Sequence, residues 1–108
     1  MTSGAAFDAA HEFAERLRAL FGARVGWVRL YGSQARGDTH EESDVDVLAV
    51  VHDLTWKEKI AAIELGCDVS LARTLHISPV VMATADFDRL VELESSFAQN
   101  VLAEGVAA

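Results

Sequence analysis

Residues 25–51 read VGWVRLY (Val25–Tyr31), GSQARGD (Gly32–Asp38), THEE (Thr39–Glu42), SDVD (Ser43–Asp46) and VLAVV (Val47–Val51). The first and last blocks are apolar and rich in β-branched and aromatic residues, which predicts two buried strands. Gly32 permits a tight turn that a side chain would obstruct. Ser33 stands where it can cap a short helix through Ala35 and Arg36. A Gly-Ser turn at a helix N-terminus presents free backbone N–H groups and a hydroxyl, donors that suit a phosphate. Asp44 and Asp46 are two apart at the start of the second strand, so their side chains leave one face with Cα atoms roughly 6.5–7 Å apart. Two carboxylates so placed can both ligate a hard divalent cation, and Mg²⁺ usually takes one or two protein carboxylates plus phosphate oxygens. Asp46 opens an apolar run, where a charge without a task is rarely placed.

The rest of the chain surrounds this unit. Phe13, Leu17, Leu20 and Phe21 recur at helical spacing and predict a first helix over about 7–21, stopped at Gly22. His11 on that helix is read as a surface or packing residue, and Arg16, Arg18 and Arg24 as a solvated face. After Val51, Thr55 with Glu58 three residues on is a capping box, and a helix follows to about Leu75. Gly66 inside it marks close packing or a weak point, and Asp68 is read as surface charge. His76–Met82 predicts a third strand, in which Pro79 cannot donate to a ladder and so marks an edge or a bulge. His76, Ser78, Val80 and Met82 share one of its faces. A final helix is predicted from a Thr84 cap to about Ala103, ended by Gly105. Helix, strand, strand, helix, strand, helix is an α+β domain with a small twisted mixed sheet flanked by helices, and residues 1–108 are expected to form one domain.

The ordered set of strand, Gly32-Ser33, ten residues, Asp44-x-Asp46 and strand resembles the signature of the polymerase-β-like nucleotidyltransferase superfamily. The Gly-Ser-x-Ala-x-Gly opening and the small size resemble its minimal nucleotidyltransferase branch, which includes the MntA-like antitoxins that partner HEPN toxins. The resemblance implies that fold, with Gly32 and Ser33 gripping phosphate and Asp44 and Asp46 as the first two metal ligands of a two-ion Mg²⁺ site. It implies ATP as the nucleoside triphosphate and AMP transfer to a hydroxyl, with a partner toxin as the expected acceptor. The alternative is a catalytically weak module that neutralises a HEPN partner by association. Arg36 is either a triphosphate or partner contact or a salt bridge to Asp38 or Glu42. Ser43 is placed to orient the loop before Asp44 by a local hydrogen bond. The family's third carboxylate comes from a later strand on the same sheet face. Here Ser78 stands at that place, and a hydroxyl is a weaker ligand and a far weaker base.

Composition fits and excludes. Nine Lys and Arg against seventeen Asp and Glu give a net charge of −8, which argues against direct nucleic-acid binding. Asp38, Glu41, Glu42, Asp44 and Asp46 crowd nine positions. Such a cluster repels phosphate unless cations intervene, and it offers an acidic face to a basic partner. A partner protein or a homo-oligomer is expected. Cys67 is alone, which rules out an internal disulfide and suits a reducing cytoplasm. No signal peptide and no membrane-spanning run is read.

Overall fold

The computed structural model describes residues 4–32, 35 and 44–108. The first helix, α1, spans Gly4–Phe21. Its buried stripe is Ala6, Ala9, Ala10, Phe13, Ala14, Leu17 and Phe21, three- and four-residue steps that keep one face on the core. Gly22 takes the left-handed turn beyond it at φ +62. A short 3₁₀ turn over Gly22–Arg24 leads into β1, Val25–Tyr31. β2 spans Val45–Val51, α2 Trp56–Arg73 and β3 Ile77–Ala83. The chain closes with α3 (Thr84–Glu92), α4 (Ser96–Glu104) and a two-residue β4 (Val106–Ala107).

The sheet has four strands in the order β3-β2-β1-β4. β1 pairs antiparallel with β2 and with β4, while β2 pairs parallel with β3. The parallel crossover is α2, and β3 lies at an edge, where Pro79 costs no ladder bond. The sheet is covered on both faces. On one, Val28, Leu30, Val45, Val47, Ala49, Val51, Ile77 and Val81 pack with α1 and with Ala62 and Val69 of α2. On the other, Leu48 and Val50 pack with Phe87 of α3 and Ala98 and Val101 of α4. β2 is central and buried on both faces, which is why its sequence is an unbroken apolar run after Asp46.

The α+β class and the mixed sheet agree with the sequence reading. Three elements differ, one of them the two-residue β4, which the sequence reading did not include. The expected single last helix is two, because Leu93, Glu94 (φ +55) and Ser95 turn the chain and the Ser95 side chain caps α4 by accepting from Ala98 N–H. Thr84 does not cap α3. Its hydroxyl pairs with His52 Nδ1 at 2.7 Å, and Ala83 holds the cap position without a side-chain bond.

Three contacts fix the ends of α2, and through them the strand carrying Ser78. At its start the Thr55–Glu58 capping box is complete. There Glu58 also takes both guanidinium nitrogens of Arg24, at 2.7 and 2.8 Å. Arg24 in turn donates to the carbonyls of His52 and Asp53, so it clamps the loop after β2 rather than standing on a free solvated face. At the other end Ser70 Oγ donates to the Gly66 carbonyl and accepts from Ile77 N–H at 2.9 Å. Along the helix Gly66 lies against Pro79, where a Cβ would meet the Pro79 Cγ at 3.0 Å.

Candidate functional site

Asp44 immediately precedes β2 and Asp46 is its second residue. Asp46 is opposite Tyr31 across the β1–β2 ladder and beside Ser78 across the β2–β3 ladder. Directly opposed residues share a face, so Tyr31, Asp46 and Ser78 form a row across three strands. That row continues the face carrying Leu48 and Val50, at the end where β1 runs into Gly32.

Gly32 closes this end. Its φ is +76, in the left-handed region. A Cβ built there would stand 2.5 Å from Asp46 Oδ2 and 3.3 Å from its Cγ. Glycine is therefore required twice, once by the backbone angle and once by the carboxylate resting against it. The turn and the second aspartate are one packed unit, a contact spanning fourteen residues of chain that the one-dimensional pattern did not reveal.

The electrostatics follow from the crowding. Burial, and then the negative charge of Asp44, push the Asp46 carboxyl above its ordinary range. Burial and then Asp46 raise the Tyr31 phenol. Tyr31 is held by an edge-on contact with Phe97, ring centroids 5.6 Å apart. Asp44 is more open, and its Oδ1 pairs with His76 Nδ1 at 2.7 Å. The backbone holds that pair in place, since Val45 N–H donates to the His76 carbonyl at 2.8 Å. The sequence put His76 on the right face but not against Asp44. Tyr31 was read only as a strand residue.

Two carboxylates on one strand face, one of them pushed up by burial and then by the other's charge, are relieved by a cation between them, so the donor set fits a hard divalent ion. Among the described residues no group of three or more His, Cys, Asp and Glu side chains is placed to hold a metal together. Ser33, Arg36 and Ser43, and the acidic residues Asp38, Glu41 and Glu42, lie outside the described residues. Ala35 is helical and packs on the α1 side, while the other residues of the expected short helix lie outside the described residues. His11 pairs with Glu15 at 3.0 Å and stacks on Phe7, as a surface residue. Among the described residues no helix is long and apolar enough to cross a membrane.

An antiparallel pair carrying a Gly turn and an Asp-x-Asp, with a parallel third strand and helices on both faces, defines a nucleotidyltransferase. The chain belongs to that family, since the Nucleotidyltransferase domain model matches residues 10–93. Two proteins of Methanocaldococcus jannaschii are similar to it. "Putative protein adenylyltransferase MJ0141" is 41% identical over 71 residues, 65% of this chain and 72% of that protein. "Putative protein adenylyltransferase MJ0604" is 34% identical over 94 residues, 87% and 88%. A crystal structure of a toxin–antitoxin with AMP-PNP contains a chain of the same fold, with a TM-score of 0.59 at 20% identity. The match covers 89% of this chain and 69% of that one.

Proposed function

We propose that this protein is a protein adenylyltransferase. It would transfer AMP from ATP to a hydroxyl of a partner protein, with Asp44 and Asp46 holding the divalent cations, Mg²⁺ in the first instance. The observation that carries the reading is the packed unit of Gly32 and Asp46, which brings the glycine at the end of β1 and an acid pair to one strand end. The family match and the two adenylyltransferase relatives support the class of reaction. The toxin–antitoxin of like fold with AMP-PNP supports an adenine nucleotide and a toxin as the partner, and the sequence resemblance adds that this toxin would be of the HEPN kind.

In the reaction the acceptor oxygen bonds to the α-phosphorus as the bond to the β-phosphate breaks, and pyrophosphate leaves. Divalent cations, when bound, neutralise the triphosphate and lower the barrier to deprotonating the acceptor. The chain's own parts are assigned around this. Gly32 and Ser33 would grip phosphate through backbone N–H groups and a hydroxyl. Arg36 would meet the triphosphate, and Ser43 would orient the approach to Asp44. His76 would steady the Asp44 carboxylate through its 2.7 Å contact. Ser78 lies beside Asp46 in register and would occupy the place of the family's third carboxylate, where a hydroxyl is a far weaker base. That residue favours the second reading, a slow or inactive module that restrains its partner by association. A cytoplasmic setting suits the lone, exposed Cys67.

The experiment is incubation with labelled ATP, Mg²⁺ and candidate partner proteins, alongside Asp44→Asn and Asp46→Asn. Label on the partner that both variants abolish is expected. Mg²⁺–ATP binding unchanged in the double variant would overturn the site. Tight association without labelling would leave the second reading.

A further inference from the structure

The side of α2 that faces away from the sheet is not polar. Trp56, Ile60, Cys67 and Leu71 fall within an arc of about 60° at 100° per residue. Trp56 is 69%, Ile60 48% and Leu71 82% exposed, and Cys67 is exposed as well. None of the four belongs to either core. A soluble helix normally turns charge, not a stripe of large apolar side chains, toward water.

The order of these residues is a palindrome. Trp56 and Leu71 are equidistant from a point between Ile63 and Glu64, and so are Ile60 and Cys67. Lys57 and Asp68 are exposed, lie on one flank of the stripe, and are nearly equidistant from the same point. Lys57 Nζ sits 5.7 Å from the Trp56 ring centroid, so its charge is already held at the stripe's edge.

We infer that α2 is the homodimer face of this protein and that its occupant is a second copy of the chain. A two-fold axis through the palindrome's centre lays the two α2 helices antiparallel. Trp56 then packs on Leu71 of the second copy, and Ile60 on Cys67. A two-fold of this kind turns each flank toward its own counterpart, so Lys57 meets Asp68 of the second copy, and the pair is made twice. At 1.5 Å rise per residue these partners are level to within about 3 Å. Glu64 falls near the axis on the same flank, facing its own copy, and is the one like-charge contact the pairing creates. α2 covers the face opposite Asp46 and Ser78, so dimerisation leaves the acid pair open. The inference does not depend on the adenylyltransferase reading.

The test is sedimentation and light scattering of the full chain over a concentration series, with circular dichroism as a check on folding. The parent should approach twice the 11.7 kDa chain mass. Leu71→Glu, at a position too exposed to disturb the core, should remain monomeric. Lys57→Glu alone should weaken the dimer roughly tenfold, since both exposed pairs become repulsive. Lys57→Glu with Asp68→Lys should restore it, and Glu64→Gln should tighten it. A parent that is monomeric throughout overturns the inference, whatever other protein it captures. So does a dimer that survives Leu71→Glu, or a charge swap that fails to restore association in a folded chain.

Discussion

Replacing Gly32→Ala tests the tie between the turn and the acid pair. At φ +76 an alanine costs about 1–2 kcal/mol in the left-handed region. Its Cβ would also stand 2.5 Å from Asp46 Oδ2, so the carboxylate must leave its rotamer, at about 0.5–1.5 kcal/mol. The expected loss is therefore about 2–3 kcal/mol. In an Asp46→Ala background the obstruction is gone, and only the backbone cost of about 1–2 kcal/mol remains. The assay is urea unfolding of the parent, both single variants and the double variant. Far-UV circular dichroism and tryptophan fluorescence would follow it, Trp27 reporting the sheet through its edge-on contact with Phe87 at 4.9 Å. A coupling of about 1 kcal/mol between the two positions is expected. Equal costs of Gly32→Ala in the two backgrounds would refute the packed unit, and with it the main support for the proposed site.

Other outcomes follow from single contacts. Arg24, then the Thr55 N–H, hold the Glu58 carboxyl down at about 2 against an ordinary 4.5. A depressed acid stabilises the fold above its unfolded value and loses that contribution as pH falls toward 2. Glu58→Gln should thus be less stable than the parent at neutral pH and converge with it in acid, and parallel stability curves would refute the clamp. Gly66→Ala should cost about 1 kcal/mol net, because overpacking of about 1–3 kcal/mol outweighs a helix gain of about 0.5–1 kcal/mol. The reason is the stiff Pro79 ring 3.0 Å from the added carbon, and a raised melting temperature would contradict it. Ser78→Asp should lower the stability of the metal-free chain and raise divalent-cation affinity by calorimetry, with His76→Asp as control. An unchanged affinity would mean that a third carboxylate belongs elsewhere.

Much of this fold was legible because its strongest signals are local. The apolar run from Val47 to Val51 announced a buried strand, Thr55 and Glu58 announced a helix start, and Pro79 announced an edge or a bulge, of which the sheet shows the edge. The break at Leu93–Ser95 escaped notice because it contains neither Gly nor Pro. Its one signal was Ser95, a capping residue in the middle of an apparent helix. β4 escaped because two residues carry no periodicity. At the site, strand alternation gave the shared faces within each strand, while the placement of Ser78 near Asp46 came from the family resemblance and agrees with the register. The contact of Asp44 with His76 and the clamp of Arg24 on Glu58 join residues more than thirty apart. Such contacts are set by register and helix placement, which no local pattern encodes.

β4 gives the protein a temporal asymmetry. Leu30 and Arg29 pair with Val106 and Ala107, and Ala108 N–H reaches the Val28 carbonyl. On a ribosome adding about 5–20 residues per second, Ala107 follows Arg29 by about 4–16 s. The strands that carry the acid pair can zip together well before that, but the outer edge of β1 waits uncovered for the whole interval. An unpaired apolar edge is a template for another chain. The nascent chain is therefore most open to misassociation between the synthesis of β2 and that of β4. Slower translation after Val51 lengthens that window without changing a single contact of the finished fold.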